Sequence, residues 1–123
     1  MVQQEKDWIM RQVKMLVEFV ARLFFKQDEK VDEMTVDQAG EMGQLFVQIK
    51  GLLMTGNICD AEDALHSNFT KTKDYLRLAM WFYNELNAKP DEELISANFT
   101  RDEVYEGLRD VLSQYEISFP SIL

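Results

Sequence analysis

Residues 5–27 read EKDWIMRQVKMLVEFVARLFFKQ, and the spacing inside that stretch decides the fold class. Ile9, Val13, Leu16, Val20 and Leu23 fall 4, 3, 4 and 3 residues apart, which is the period of a helix and not of a strand. Met10, Val17 and Phe24 widen this seam on one side, and Trp8, Met15 and Phe19 widen it on the other. Arg11, Lys14, Glu18 and Arg22 make the opposite stripe, with Glu18 and Arg22 spaced as a favourable i,i+4 pair. The apolar face is wider than a two-helix seam needs, so this helix is expected to pack on more than one neighbour.

The rest of the chain continues in the same idiom. Thr35-Val36-Asp37-Gln38 forms a capping box, and a second helix is predicted from there to about Thr55, with Met42, Leu45, Phe46, Ile49, Leu52 and Leu53 inward. Gly56-Asn57 closes it and opens a third helix, about 58–68. A fourth, about 71–88, is apolar on most sides and leaves only Lys73, Arg77 and Asn84 as a polar line, so it belongs in the centre. Pro90 starts a short fifth helix, about 90–97. Thr100-Arg101-Asp102-Glu103 is another capping box, and a sixth helix over about 101–116 buries Val104, Leu108, Val111 and Tyr115. Gly107 inside it costs about 1 kcal/mol against Ala, which points to a close contact there.

The expected architecture is therefore all-α. It is one domain over 1–123, with a long first helix (5–27), a stack of helical hairpins (38–116) and an apolar tail (117–123) expected to fold back on the body. Scarcity of Gly (5) and Pro (2) in 123 residues agrees, because a turn-rich β fold needs more of both. A mass of 14.4 kDa lets about two thirds of the surface be buried, enough for one core without disulfides. The stretch from Trp8 to Phe25 is too interrupted by charge to be a signal h-region or a membrane span. With the single cysteine, Cys59, this makes the cytoplasm the expected compartment.

Sliding the chain by 30 residues aligns Glu62, Asn68, Phe69, Thr70, Tyr75 and Leu78 with Glu92, Asn98, Phe99, Thr100, Tyr105 and Leu108. The match predicts a helix end, an Asn-Phe-Thr turn and a helix start, used twice. The segment from Leu52 to Glu62 resembles the turn of a tetratricopeptide repeat, with Gly56 and Ala61 standing at its small-residue positions. Asp7-Trp8-Ile9-Met10-Arg11-Gln12 and Asn98-Phe99-Thr100-Arg101-Asp102-Glu103 resemble segments of an uncharacterised bacterial family, a domain of unknown function. That resemblance implies a small, all-helical, tetratricopeptide-like protein and brings no activity with it.

Chemistry is sparse. The best metal set, Glu62, Asp63 and His66, lacks a second His or a paired Cys and reads as a solvated helix face. Cys59 and His66 are two turns apart, too far for a nucleophile and its base, and the thiol is expected buried or half-buried. Asp91-Glu92-Glu93 and Asp102-Glu103-Glu106 sit in helix first turns, where they complement the macrodipole. The two Asn-Phe-Thr sequons read as helix-end and helix-start residues. No cofactor is expected.

The net charge of −9 opposes nucleic acid. It is uneven: residues 1–27 carry five basic and three acidic groups, a net +2, and residues 28–123 carry 8 basic and 19 acidic groups, a net −11. A basic amphipathic first helix could lie on a membrane, but the acidic body opposes that. The leading expectation is a non-enzymatic interaction or scaffold module that binds another protein or itself. Its contact residues would be Trp8, Met15 and Phe19 of the first helix and exposed Trp81 and Tyr83 of the fourth. The alternatives are a small-molecule binder or enzyme with a polar-lined inter-helix pocket that includes His66 or clustered carboxylates, and peripheral membrane association through the first helix.

Overall fold

In a computed structural model of the chain, residues 2–24 and 40–116 are described. They form six helices and, among the described residues, no strand. These are α1 (Val2–Phe24), α2 (Gly40–Met54), α3 (Ile58–Ser67), α4 (Lys73–Ala88), α5 (Asp91–Ser96) and α6 (Arg101–Gln114). The Thr35–Gln38 capping box and the 117–123 tail lie outside the described residues.

Local chemistry explains the ends. Gly56 takes φ +79 after α2, and there Asn57 N–H donates to Leu52 O at 2.9 Å and Gly56 N–H to Leu53 O at 3.1 Å, a Schellman closure. Asn98 does the same after α5 with φ 59, Phe99 N–H reaching Leu94 O and Asn98 N–H reaching Ile95 O, both at 2.9 Å. Thr100 accepts from Glu103 N–H at 3.1 Å while Glu103 Oε1 accepts from Thr100 N–H at 3.1 Å, so the capping box before α6 is complete.

The helix end, Asn-Phe-Thr turn and helix start do recur, between α3 and α4 and between α5 and α6, but the two turns are built differently. Asn68 ends α3 at φ −109 with its amide on Ala64 O, whereas Asn98 is left-handed. The cap of α4 is Thr72, not Thr70. Leu65 is fully buried and its counterpart Ile95 is 74% exposed. Three shared letters fill two different turns because different helices cover them.

α4 is the central element. Tyr75, Leu76, Leu78, Ala79, Met80, Phe82, Tyr83 and Leu86 are all solvent-inaccessible, and the helix touches α1, α2 and α6. Asn87 Nδ2 donates to Met10 O at 3.0 Å, and Lys6 pairs with Asp91 at 2.7 Å, so α1 starts where α4 ends and the two run antiparallel. Tyr115 at the end of α6 donates to Thr72 O at 2.6 Å at the start of α4, making that pair antiparallel as well. α1 and α6 consequently run the same way, side by side, and Trp8 stacks edge-on against Tyr105 at 6.3 Å.

Candidate functional site

α1 presents two faces of opposite character. Val13, Leu16, Val17, Val20 and Ala21 are buried against α4 and α6. Met15 is 50% and Leu23 56% exposed, with Trp8 and Phe19 half-buried beside them and Arg11, Lys14 and Arg22 exposed. Leu23 was expected inward. Near the end of α1 Val20 is buried and Phe24 packs against the core, while Leu23 is left to solvent. Gln12 is 5% exposed on this helix, and its Oε1 has no hydrogen-bond partner among the described residues.

Of the five expected contact residues, the structure places Trp8, Met15 and Phe19 along one flank of α1. Trp81 is half-buried and packs edge-on against Phe46 at 4.8 Å, which attaches α2 to α4. Tyr83 requires correction: it is fully buried and cannot meet a partner. Its hydroxyl donates to Glu62 Oε2 at 2.7 Å, and His66 Nε2 lies 2.8 Å from the same oxygen. With the hydroxyl proton committed to the carboxylate, Nε2 is the donor to Tyr83, which gives a chain from His66 through Tyr83 to Glu62.

This cluster corrects the expectation of a solvated face at Glu62, while Asp63 and His66 are exposed as expected. Glu62 keeps only 22% of its side-chain exposure, because α6 passes over it at Gly107. A Cβ at 107 would clash with Glu62 Oε2 and Tyr83 Oη. The helix glycine and the i,i+4 spacing of Glu62 and His66 were the sequence signals of the cluster; no spacing tied Tyr83 of α4 to that pair. Burial raises the Glu62 carboxyl above its ordinary 4.5, opposed by the Tyr83 hydrogen bond and by His66, and reinforced by Glu103 on α6 and Asp63 on α3. Burial first, and then the Glu62 charge, push Tyr83 far above its ordinary 10.0, so it stays a neutral donor.

The sign of the Glu62 shift makes a prediction. The folded carboxyl holds its proton more tightly than the unfolded one, so its contribution to stability is complete below 4.5 and is lost as pH rises through the folded value. Glu62→Gln keeps an acceptor for Tyr83 without the charge. Urea unfolding is expected to show the variant gaining on the wild type at pH 7 and losing that advantage by pH 4.5. A variant that falls further behind at pH 7 than at pH 4.5 would show that the charge itself holds the cluster.

Other candidates resolve simply. Cys59 is exposed, not half-buried, with its Sγ 3.7 Å from Ala97 O. Its thiol is pushed up by desolvation first and then by Glu103, Glu62, Asp63 and Asp60. Asp91 is lowered by hydrogen bonds from Lys6 and Arg101, and Arg101 also donates to Asn87 O and Lys89 O, pinning the α4–α5 turn. Among the described residues no group of three or more His, Cys, Asp or Glu is placed to hold a metal ion. No described helix is long and apolar enough to cross a membrane. A groove of 560 Å³ runs between the α2–α3 turn and α5 over Leu53, Met54 and Ile58, and one of 540 Å³ lies between α2 and the α3–α4 turn over Met42, Leu45 and Phe69. Of the residues to which the pocket alternative is tied, His66 lines neither groove, and the carboxylates Glu92 and Glu93 line the first.

A family model described as a family of unknown function (DUF6483) matches residues 3–116. Neither a curated protein nor a solved structure matches the chain.

Proposed function

The chain belongs to this family of unknown function, and from that premise we propose a non-enzymatic interaction or scaffold module that binds a protein through the outer flank of α1. One observation carries the reading. Met15 and Leu23 are 50% and 56% exposed on a helix whose opposite side is solvent-inaccessible, and they continue into half-buried Trp8 and Phe19. Single exposed apolar residues are ordinary, but a run of four along three turns or more is the kind of surface that gains from being covered. Burying it returns about 25 cal/mol per Å² before association costs. Trp8, Met15 and Phe19 are the contact residues of this proposal; Trp81 contributes from inside, by holding α2 to α4.

The acidic body, −11 over residues 28–123, disfavours nucleic acid and an anionic membrane as partners. A cytoplasmic setting suits the exposed lone thiol, and a tetratricopeptide-like hairpin is supported by the left-handed Gly56 and the fully buried Ala61. The test is a paired affinity capture from native cells with the wild type and with Met15→Glu/Leu23→Glu, both verified as folded by circular dichroism. A protein recovered with the first and lost with the second is the expected result. Identical captures from the two baits would remove the flank from consideration.

A further inference from the structure

We propose that the outer flank of α1 pairs, antiparallel, with the same flank of a second copy of this chain. The proposal rests on the interaction reading above and names the partner. Its warrant is the order of charges along the edge of the apolar run: Asp7, Arg11, Glu18 and Arg22 alternate negative, positive, negative, positive. Reversed, the same edge reads positive, negative, positive, negative. An antiparallel second copy with Asp7 opposite Arg22 therefore sets Arg11 opposite Glu18, and the two-fold axis repeats both pairs.

In antiparallel helix pairs like edges face each other, so all four contacts fall on one side of the seam. A parallel pairing in register would put every charge against its own kind. The chosen register also places Met15 of each copy next to the axis. It brings Trp8 level with Leu23 of the second copy to within about 3 Å of rise.

The surface around this edge is consistent with the assignment. Asp7, Arg11 and Arg22 are exposed and Glu18 is half-exposed. Among the described residues none of the four is engaged in an ion pair, Glu18 and Arg22 included. Lys14 lies on the same polar stripe, about 20° further round the helix than Asp7, and meets its own copy near the axis, one repulsion set against the four attractions. Two helices of this length bury less than the roughly 800 Å² per partner of a standard interface, so the dimer is a weak one, populated at tens of micromolar.

Sedimentation equilibrium between about 1 and about 200 μM is the test, run on the full chain and four variants whose folding is checked by circular dichroism. The wild type is expected to dimerise. Arg11→Glu and Glu18→Arg are each expected to weaken it about tenfold, because each converts two attractions into two repulsions. The double variant Arg11→Glu/Glu18→Arg is expected to recover the wild-type constant, since both pairs reform with signs exchanged. Met15→Glu is expected to abolish dimerisation by setting two carboxylates beside the axis.

A monomeric wild type at the highest concentration overturns self-pairing. A dimer in which the double charge exchange fails to restore association, or which ignores Met15→Glu, overturns it too. The interaction reading stands or falls separately, on whether Met15→Glu/Leu23→Glu loses a captured protein.

Discussion

Gly107→Val is expected to lower the unfolding free energy by about 3 kcal/mol, the upper end for forcing carbon into a filled interior. The new side chain would start where Glu62 Oε2 and Tyr83 Oη already sit, and neither can step aside freely. Tyr83 is fully buried in α4, and its hydroxyl is held at 2.7 Å by Glu62 and 2.8 Å by His66. Moving α6 outward instead would uncover Val104, Leu108 and Val111, which are at most 1% exposed. Valine regains a few tenths of a kcal/mol of helix propensity over glycine, too little to offset the clash. Against a total of roughly 5–15 kcal/mol for a domain of this class, the loss is a large fraction. Urea unfolding reads it as a lower midpoint with an unchanged slope. A variant as stable as the wild type would mean that α6 does not rest on the Glu62–Tyr83 pair.

The second large effect separates the two faces of α1. Val17→Asp is expected to cost about 4 kcal/mol or more, because position 17 is fully inaccessible and a carboxylate there has no partner to offset its desolvation. Met15→Asp, two positions earlier, is expected to stay within about 0.5 kcal/mol of the wild-type monomer, since its side chain is half in water already. Thermal unfolding at a concentration low enough to keep the chain monomeric measures both. Equal losses would make the outer flank part of the interior and leave nothing on it for a partner to cover.

How much of this was legible follows from where each signal resides. The six helices and their order were readable because caps and turns are local: Gly56, Thr100 with Glu103, and the acidic first turn after Pro90 each act over four residues or fewer. The core face of α2 and the central place of α4 were readable from apolar periodicity alone. The Asn-Phe-Thr echo located two helix-to-helix turns but not their build, because identity of three residues carries no information about what lies over them.

The Glu62–His66–Tyr83 chain was out of reach for a different reason. It spans 21 residues of sequence and exists only where α3, α4 and α6 converge; from the string, Tyr83 was one more aromatic on an oily helix. The i,i+4 pair Glu62 and His66 and the costly glycine at 107 were its only hints. The outer flank of α1 was legible as a wide apolar face, and the structure divides that face into the part the molecule covers and the part it does not.

The bond from Asn87 to the carbonyl of Met10 joins positions 77 residues apart, and it has a meaning for the growing chain. α1 leaves the ribosome before α4 and α6, which cover its oily side and are completed at Ala88 and Gln114, 64 and 90 residues after Phe24. At about 5–20 residues per second the helix waits roughly 3–18 s with Val13, Leu16, Val17 and Val20 bare. For that interval α1 is a sticky amphipathic rod in search of shelter, and a nascent-chain chaperone would meet it there before its own fold does.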